Sequence, residues 1–300
     1  MQTADVKVKA IVTRAVPYNE SDMIVTLVGV DTGVLTATAK GCLKPKAKLR
    51  YAAEPMNFGD YVLSGRNGRY IVTECSQIES FSSITYDIEK YYAASMILET
   101  LQRGSKDANP DLFILSLKAL DALAYSECDS DDVSRDFLLG FLDISGNELD
   151  FQHCNVCKCD IEGNAYFKDS DGIVCEHCKG LDGILVDNLS RGYLAKQTDI
   201  SHPLKVKANL LLADFVYMTT GVRISTHYFT EQLLNTKDFL QNSLHSHLPY
   251  ARFLPALRFL PHATKTKLRQ SRLRIFLNPH QATQSSAARK ESLLSTRAGK

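Results

Sequence analysis

An α+β protein in several parts is predicted by three observations. The first eighty residues alternate apolar and polar side chains at period two, punctuated by Gly-bearing turns, the mark of short strands. From Asp87 the apolar positions switch to helical spacing. Within that helical region stands Cys154-Asn-Val-Cys157, then seventeen residues, then Cys175-Glu-His-Cys178, a spacing that fits C-x2-C-x15–20-C-x2-C. The expected order is a β-barrel over residues 1–80, a helical domain in two parts (81–150 and 183–244), a four-cysteine ribbon inserted over 151–182, and a basic tail over 245–300.

In the first strand Val6, Val8, Ala10 and Val12 form one apolar face, alternating with Lys7, Lys9, Ile11 and Thr13. Residues 17–22 form a turn, 23–28 a second strand, 31–33 a turn and 34–39 a third strand. Residues 60–64 and 69–74 read as two more strands around the turn Gly65-Arg66-Asn67-Gly68. Five short strands in about eighty residues suggest a small closed barrel, OB-like as first choice and SH3-like as second. The loop after the third strand carries Lys40, Lys44, Lys46, Lys48 and Arg50, with no acidic residue until Glu54, and Gly41 and Pro45 break any helix there. Such a loop either neutralises phosphates, with Tyr18, Tyr51 and Phe58 as candidate base-stacking surfaces, or is ordinary solvated surface. Singly, those aromatics fit barrel core better than stacking platforms. Cys42 beside the lysines is either a thiol of lowered pKa or a structural cysteine.

Three helices are expected before the ribbon: one from Asp87 to Gly104, one opened by Asn109-Pro110-Asp111, and one over 135–142 behind the acidic cap 128–132. After the ribbon, Ser190 to Leu194 looks like a helix start, and a longer helix from His202 to Tyr217 ends at Gly221 as its C-cap. A short one spans Tyr228 to Leu240.

In the ribbon, residues 166–168 and 172–174 read as two short strands around a turn at Asp169–Gly172. Two knuckles turn four thiolates toward one point, the donor set of a closed, structural Zn²⁺ site that leaves no position for water or substrate. Cys159 (two residues past Cys157), His153 and His177 are alternative ligands. A redox Cys-x-x-Cys occurs once, at the start of a helix in a βαβ unit, and that context is absent. A zinc hydrolase or deaminase needs an open coordination position and a Glu base; Glu176 is near, but four thiolates argue against it. No P-loop is present, so ATP use is not expected.

The apolar fraction of 44% and charged fraction of 23% are those of a folded chain. No apolar run suits a membrane span or a secretory signal, and five of the eight cysteines fall between 154 and 178; a reducing cytoplasm is expected, with no membrane partner and no small-molecule substrate. The net charge of +1 hides an asymmetry: residues 81–150 hold five Lys/Arg against fourteen Asp/Glu, whereas 245–300 hold eleven against one. The acidic stretch is an unlikely DNA surface and reads as a solvated helical face or a site for a basic protein, the basic one as a disordered tail.

The strand followed by Val16-Pro17-Tyr18-Asn19-Glu20-Ser21-Asp22, the loop Ala39-Lys40-Gly41-Cys42 and Glu54-Pro55-Met56 resembles the start of the bacterial recombination mediator family RecO. The helical region with its inserted four-cysteine ribbon, ending near Thr220-Gly221-Val222-Arg223, resembles the same family over roughly residues 5–240. The tail past Ser243 has no counterpart in that pattern. The resemblance implies an OB-fold domain, a helical domain, a zinc-binding insertion and a non-enzymatic role. That role is binding single- and double-stranded DNA, annealing complementary strands, and helping RecA load onto strands coated by the single-stranded DNA-binding protein, with RecR as partner. The family's DNA contacts carry over onto Lys40, Lys44, Lys46, Lys48 and Arg50, and onto Arg14, Arg66 and Arg69. The alternative is a zinc-ribbon adaptor that binds proteins only.

Overall fold

At fourteen residues, β1 (Ala4–Pro17) is long enough to pair with two strands, and the barrel closes through it. Its first part runs antiparallel to β4 (Phe58–Arg66), from Ala4↔Gly65 to Ile11↔Phe58. Its second part runs antiparallel to β2 (Met23–Gly29), from Ala10↔Gly29 to Pro17↔Met23, with an irregularity between Val12 and Arg14 that bends it between its two partners. β2 pairs with β3 (Gly33–Ala39) and β4 with β5 (Arg69–Glu79), both antiparallel. A short parallel contact between β3 and β5, Ala37↔Tyr70 and Thr38↔Ile71, completes the order β1-β2-β3-β5-β4. This is the OB arrangement, the first of the two expected barrels. The computed structural model describes residues 4–66 and 69–226. The Asn67-Gly68 turn residues, the helix expected from Tyr228 to Leu240 and the tail over 245–300 lie outside the described residues.

Val8, Ala10, Val12, Val25, Leu27, Ala37, Tyr61, Leu63 and Val72 fill the barrel. Ile11, expected on the polar face of β1, is 0% exposed and belongs to a second core, with Val28 and the helices. The alternation failed there because a helical domain covers that outer face of the barrel. Thr13 Oγ1 donates to Gln102 Oε1 at 2.9 Å, Phe58 meets Phe113 at 5.9 Å between ring centroids, and a Cβ on Gly33 would lie 2.9 Å from backbone atoms of residues 105–107.

The helices start where their caps dictate. Asp87 accepts from the amides of Glu89 and Lys90 before α1 (Ile88–Gly104). Asn109 accepts from Leu112 before α2 (Pro110–Tyr125), and Asp129 from Asp131 before α3 (Ser130–Ile144). α3 thus begins one turn earlier than residue 135. α4 (Asn188–Leu194) and α5 (His202–Thr220) follow the ribbon, and α5 stops at Gly221, whose φ of 72° a residue with a Cβ rarely adopts.

The ribbon sheet has three strands, not two. β6 (Ala165–Lys168) is central, between β7 (Gly172–Val174) and β8 (Ile184–Val186). β8 lies beyond the expected edge at 182, so the sheet runs to Val186 and α4 begins almost at once. Two contacts seat the ribbon on the helices. Phe167 stacks on Phe215 of α5 at 3.9 Å and 18°. The buried Arg191 of α4 donates to the carbonyls of Gly163 (2.6 Å) and Phe151 (3.1 Å) and to Asn188 Oδ1 (3.2 Å). A further polar knot joins α3 to α5: the Lys205 ammonium, 5% exposed, meets carboxylates of Asp129, Asp132 and Asp199 within 3.2 Å, while His202 Nδ1 lies 2.6 Å from Asp131. Part of the acidic surplus of residues 81–150 is therefore spent inside the fold, with Asp131 itself buried. Among the described residues no helix is long and apolar enough to cross a membrane.

Candidate nucleic-acid interface and metal centre

The basic loop leaves the end of β3 as a series of tight turns. The amide of Gly41 donates to Asp22 Oδ1 at 2.7 Å, and that of Leu43 to the Ser21 carbonyl at 3.0 Å, so the loop is pinned by its backbone to the β1–β2 turn. The Gly41 amide, with help from Asn19, also holds the Asp22 carboxyl below the usual range. Because the backbone does the anchoring, the side chains are left over: Lys40, Lys44, Lys46, Lys48 and Arg50 are all exposed. The chain then turns inward through a short 3₁₀ segment, Tyr51–Ala53, and the Met56 amide and Asn57 carbonyl bond to Val12 at the β1 irregularity.

Arg14 is exposed on the outer face of β1 and pairs with Thr26, which pairs with Thr36 of β3. Val25 and Leu27 point into the barrel, so Thr26 and Thr36 face out beside Arg14. Arg69 opens β5, whose next residue pairs with Ala37 of β3. Arg14 and the exposed Arg69 therefore flank the β2–β3 face from its two sides, with the loop at its end. Arg66 pairs with Arg69 across the β4–β5 hairpin through the backbone. In an OB barrel the face of strands 2 and 3, with the loops around it, is where oligonucleotides bind.

Of the three aromatics named from the sequence, Tyr18 is 60% exposed in the β1–β2 turn. Tyr51 is tied by its hydroxyl to the Cys75 carbonyl at 2.6 Å, and Phe58 is engaged with Phe113, so neither is free to stack on a base. Cys42 is buried, and that burial pushes its thiol up; the lowered-pKa alternative does not hold.

In the ribbon the sulfurs of Cys154, Cys157, Cys175 and Cys178 lie within 4.8 Å of one another. Cys157 Sγ and Cys175 Sγ are 3.7 Å apart, close to the edge of about 3.8 Å that a tetrahedron of 2.3 Å Zn–S bonds requires. Local backbone builds this convergence. Lys158, at a φ of 61°, turns the chain back after the first knuckle, and the Lys158 and Asn155 amides bond to Cys154 and Ile173 at 2.8 Å. Burial alone would raise Cys154, but amides of Cys157, Cys175 and Val156 aimed at its sulfur bring it down to about 6. The Cys159 amide likewise lowers Cys157, while burial and the neighbouring sulfurs push Cys178 up to about 12. Four sulfurs this close cannot all ionise unless a cation sits among them, and the opposed shifts express that. The donor set is positioned to bind a metal ion.

The three alternative ligands are not among the four mutually close sulfurs. His153 spends Nδ1 on Asp150 (2.8 Å) and faces Asp160 with Nε2 (3.3 Å), and His177 is exposed. Cys159 abuts the quartet, its Sγ 3.2 Å from Cys157 Sγ and in contact with Cys175. The buried Arg191 and Lys205, which hold the ribbon and helices together, were not anticipated; lone cations at helical spacing carry no signal of burial.

Fold and sites together define a multidomain protein: an OB barrel with a cationic rim, joined to helices that carry four cysteines positioned to bind a metal ion. Comparison with known proteins narrows this class. Residues 1–81 match the model of the recombination protein O N-terminal domain, and residues 85–186 that of its C-terminal domain. DNA repair protein RecO of Desulforamulus reducens is 28% identical over 261 residues, 81% of this chain and 96% of its own. The RecO of Clostridium novyi is 28% identical over 74% of this chain and 89% of its own, and that of Heliobacterium modesticaldum 31% identical over 58% and 65%. The chain belongs to the RecO family, a family of DNA repair and recombination.

Proposed function

We propose that this chain is a non-enzymatic recombination mediator. It binds single- and double-stranded DNA, anneals complementary strands, and helps RecA load onto strands coated by the single-stranded DNA-binding protein, with RecR as partner. The observation that carries this reading is the exposed Lys40–Arg50 cluster, anchored through its backbone at the end of a β2–β3 face that Arg14 and Arg69 flank. Annealing needs a cationic surface that cancels repulsion between two backbones without gripping particular bases, and this rim has that character. The four-thiolate centre holds Zn²⁺ as a structural ion, because four cysteines can fill all four tetrahedral positions.

Fluorescence anisotropy of a labelled single strand, titrated with the full chain at low and high salt, tests the reading. Tight, sequence-indifferent binding that collapses with salt is expected, followed by faster annealing of complementary strands. No binding at low salt would sink it in favour of a zinc-ribbon adaptor that contacts proteins only.

A further inference from the structure

Of the four metal-ligating cysteines, Cys154 and Cys175 are buried and Cys178 is half-buried, whereas Cys157 is exposed. An oxidant in solution therefore reaches the centre at Cys157. Next to this ligand stands a fifth thiol, outside the four mutually close sulfurs though it also touches Cys175. Cys159 is exposed, and its sulfur is 3.2 Å from that of Cys157. The juxtaposition is built rather than incidental. The left-handed turn at Lys158 puts both side chains on one side, and the Cys159 carbonyl is held by the Cys154 amide at 2.9 Å. Residues two apart span at most about 7 Å when extended. The bend shortens that, which suits the Cα separation of about 4.4–6.8 Å that a disulfide needs.

We propose that Cys157 and Cys159 are a peroxide-sensitive dithiol that opens the metal centre by closing a disulfide, a role resting on the reading of the quartet as a metal site. In the first step the Cys157 sulfur attacks one oxygen of a hydroperoxide. An S–O bond forms, the O–O bond breaks, and the departing hydroxide takes a proton to become water (an alcohol, for an organic peroxide). In the second step the Cys159 sulfur attacks the Cys157 sulfenic acid. The S–S bond forms, the S–O bond breaks, and the leaving oxygen departs as water with the Cys159 thiol proton. The two sulfurs are oxidised by two electrons in all, and the peroxide is reduced by two. The metal is left with three sulfurs and an open position, and its hold weakens accordingly. Prompt capture by Cys159 also keeps Cys157 from the irreversible sulfinic state, so a dithiol reductant restores the site. The device differs from a redox Cys-x-x-Cys: the disulfide joins one ligand to a non-ligand, so the other three ligands stay reduced.

The test uses the full chain loaded with zinc and exposed to hydrogen peroxide. Zinc release is followed with a chromogenic chelator, and disulfides are mapped by peptide mass spectrometry. Cys159→Ser keeps all four ligands and is expected to bind zinc as the parent does. The parent is expected to release zinc with a Cys157–Cys159 link and to regain it after dithiothreitol. Cys159→Ser is expected to release it at least tenfold more slowly, with Cys157 trapped as a sulfenic acid by dimedone. Equal release rates, or a disulfide mapped within either Cys-x-x-Cys knuckle, would overturn the proposal. A parent chain that binds no zinc would count against the metal reading alone, and the mapped disulfide would still decide the dithiol.

Discussion

Replacing Lys44, Lys46 and Lys48 together by Ala measures the cationic rim directly. All three side chains are exposed, and the turns beneath them are held by backbone groups of Gly41, Leu43, Lys44 and Ala47, so the substitutions remove charge and leave the loop standing. Surface changes of this kind cost within about 0.5 kcal/mol each. If the five loop cations each neutralise one phosphate of a single strand, the salt slope is about −3.5, from roughly −0.7 per phosphate. Affinity then falls about a hundredfold between 50 and 200 mM salt. With two cations left the slope is about −1.4, and the same change in salt costs only about sevenfold. Anisotropy titrations of parent and triple variant across that range read the difference, and the loss should be alike for unrelated strand sequences. A variant with the parent's slope would remove the loop from the interface and leave Arg14 and Arg69 to account for binding.

Three other perturbations probe the helices and the ribbon. Cys175→Ser takes a buried ligand from the quartet; bound metal is expected to fall to near zero per chain by elemental analysis, and limited proteolysis to cut between 151 and 186. Parent-level metal would refute the ligand assignment. Arg191→Met leaves the buried Phe151 carbonyl and the half-buried Gly163 carbonyl without their donor and should cost about 1–3 kcal/mol in urea unfolding, the cost of one buried group left unpaired. A change below about 0.5 kcal/mol would show that the clamp is replaceable by water. Asp131 is pushed up to about 6, chiefly by burial and against the pull of His202. Its contribution to stability is thus fully present below the ordinary carboxylate pKa and is lost as pH rises through 6. Asp131→Asn should gain on the parent between pH 4 and 6, by at most about 3 kcal/mol, and a flat difference across that window would refute it.

Much of this was legible in the chain because the signals are local. Asp87, Asn109-Pro110 and Gly221 mark helix ends through interactions with residues two to four positions away, and the structure places caps at each. The cysteine knuckles are legible for the same reason: each pair converges through one tight turn. What escaped depends on partners distant in sequence. Ile11 looks like an interruption of an alternating strand until the helical domain is placed against it. β8 is three residues long, too short to stand out, and exists because β6 has a free edge beside it. Arg191 reads as a surface cation at a helix start, although its guanidinium reaches carbonyls twenty-eight and forty positions earlier.

The shared wall between barrel and helices has a consequence for how such a chain is inherited and dissected. Ile11 and Val28 are barrel residues by sequence and helical-core residues by environment, and Phe58 closes the same seam against Phe113. The boundary near residue 81, where one recognisable sequence block gives way to the next, is not a place to cut. A fragment ending there would carry a greasy stripe into water, and the helices alone would lose part of their floor. The two blocks are separable as text but not as matter. Recombination or engineering that swaps one without the other has to rebuild that seam.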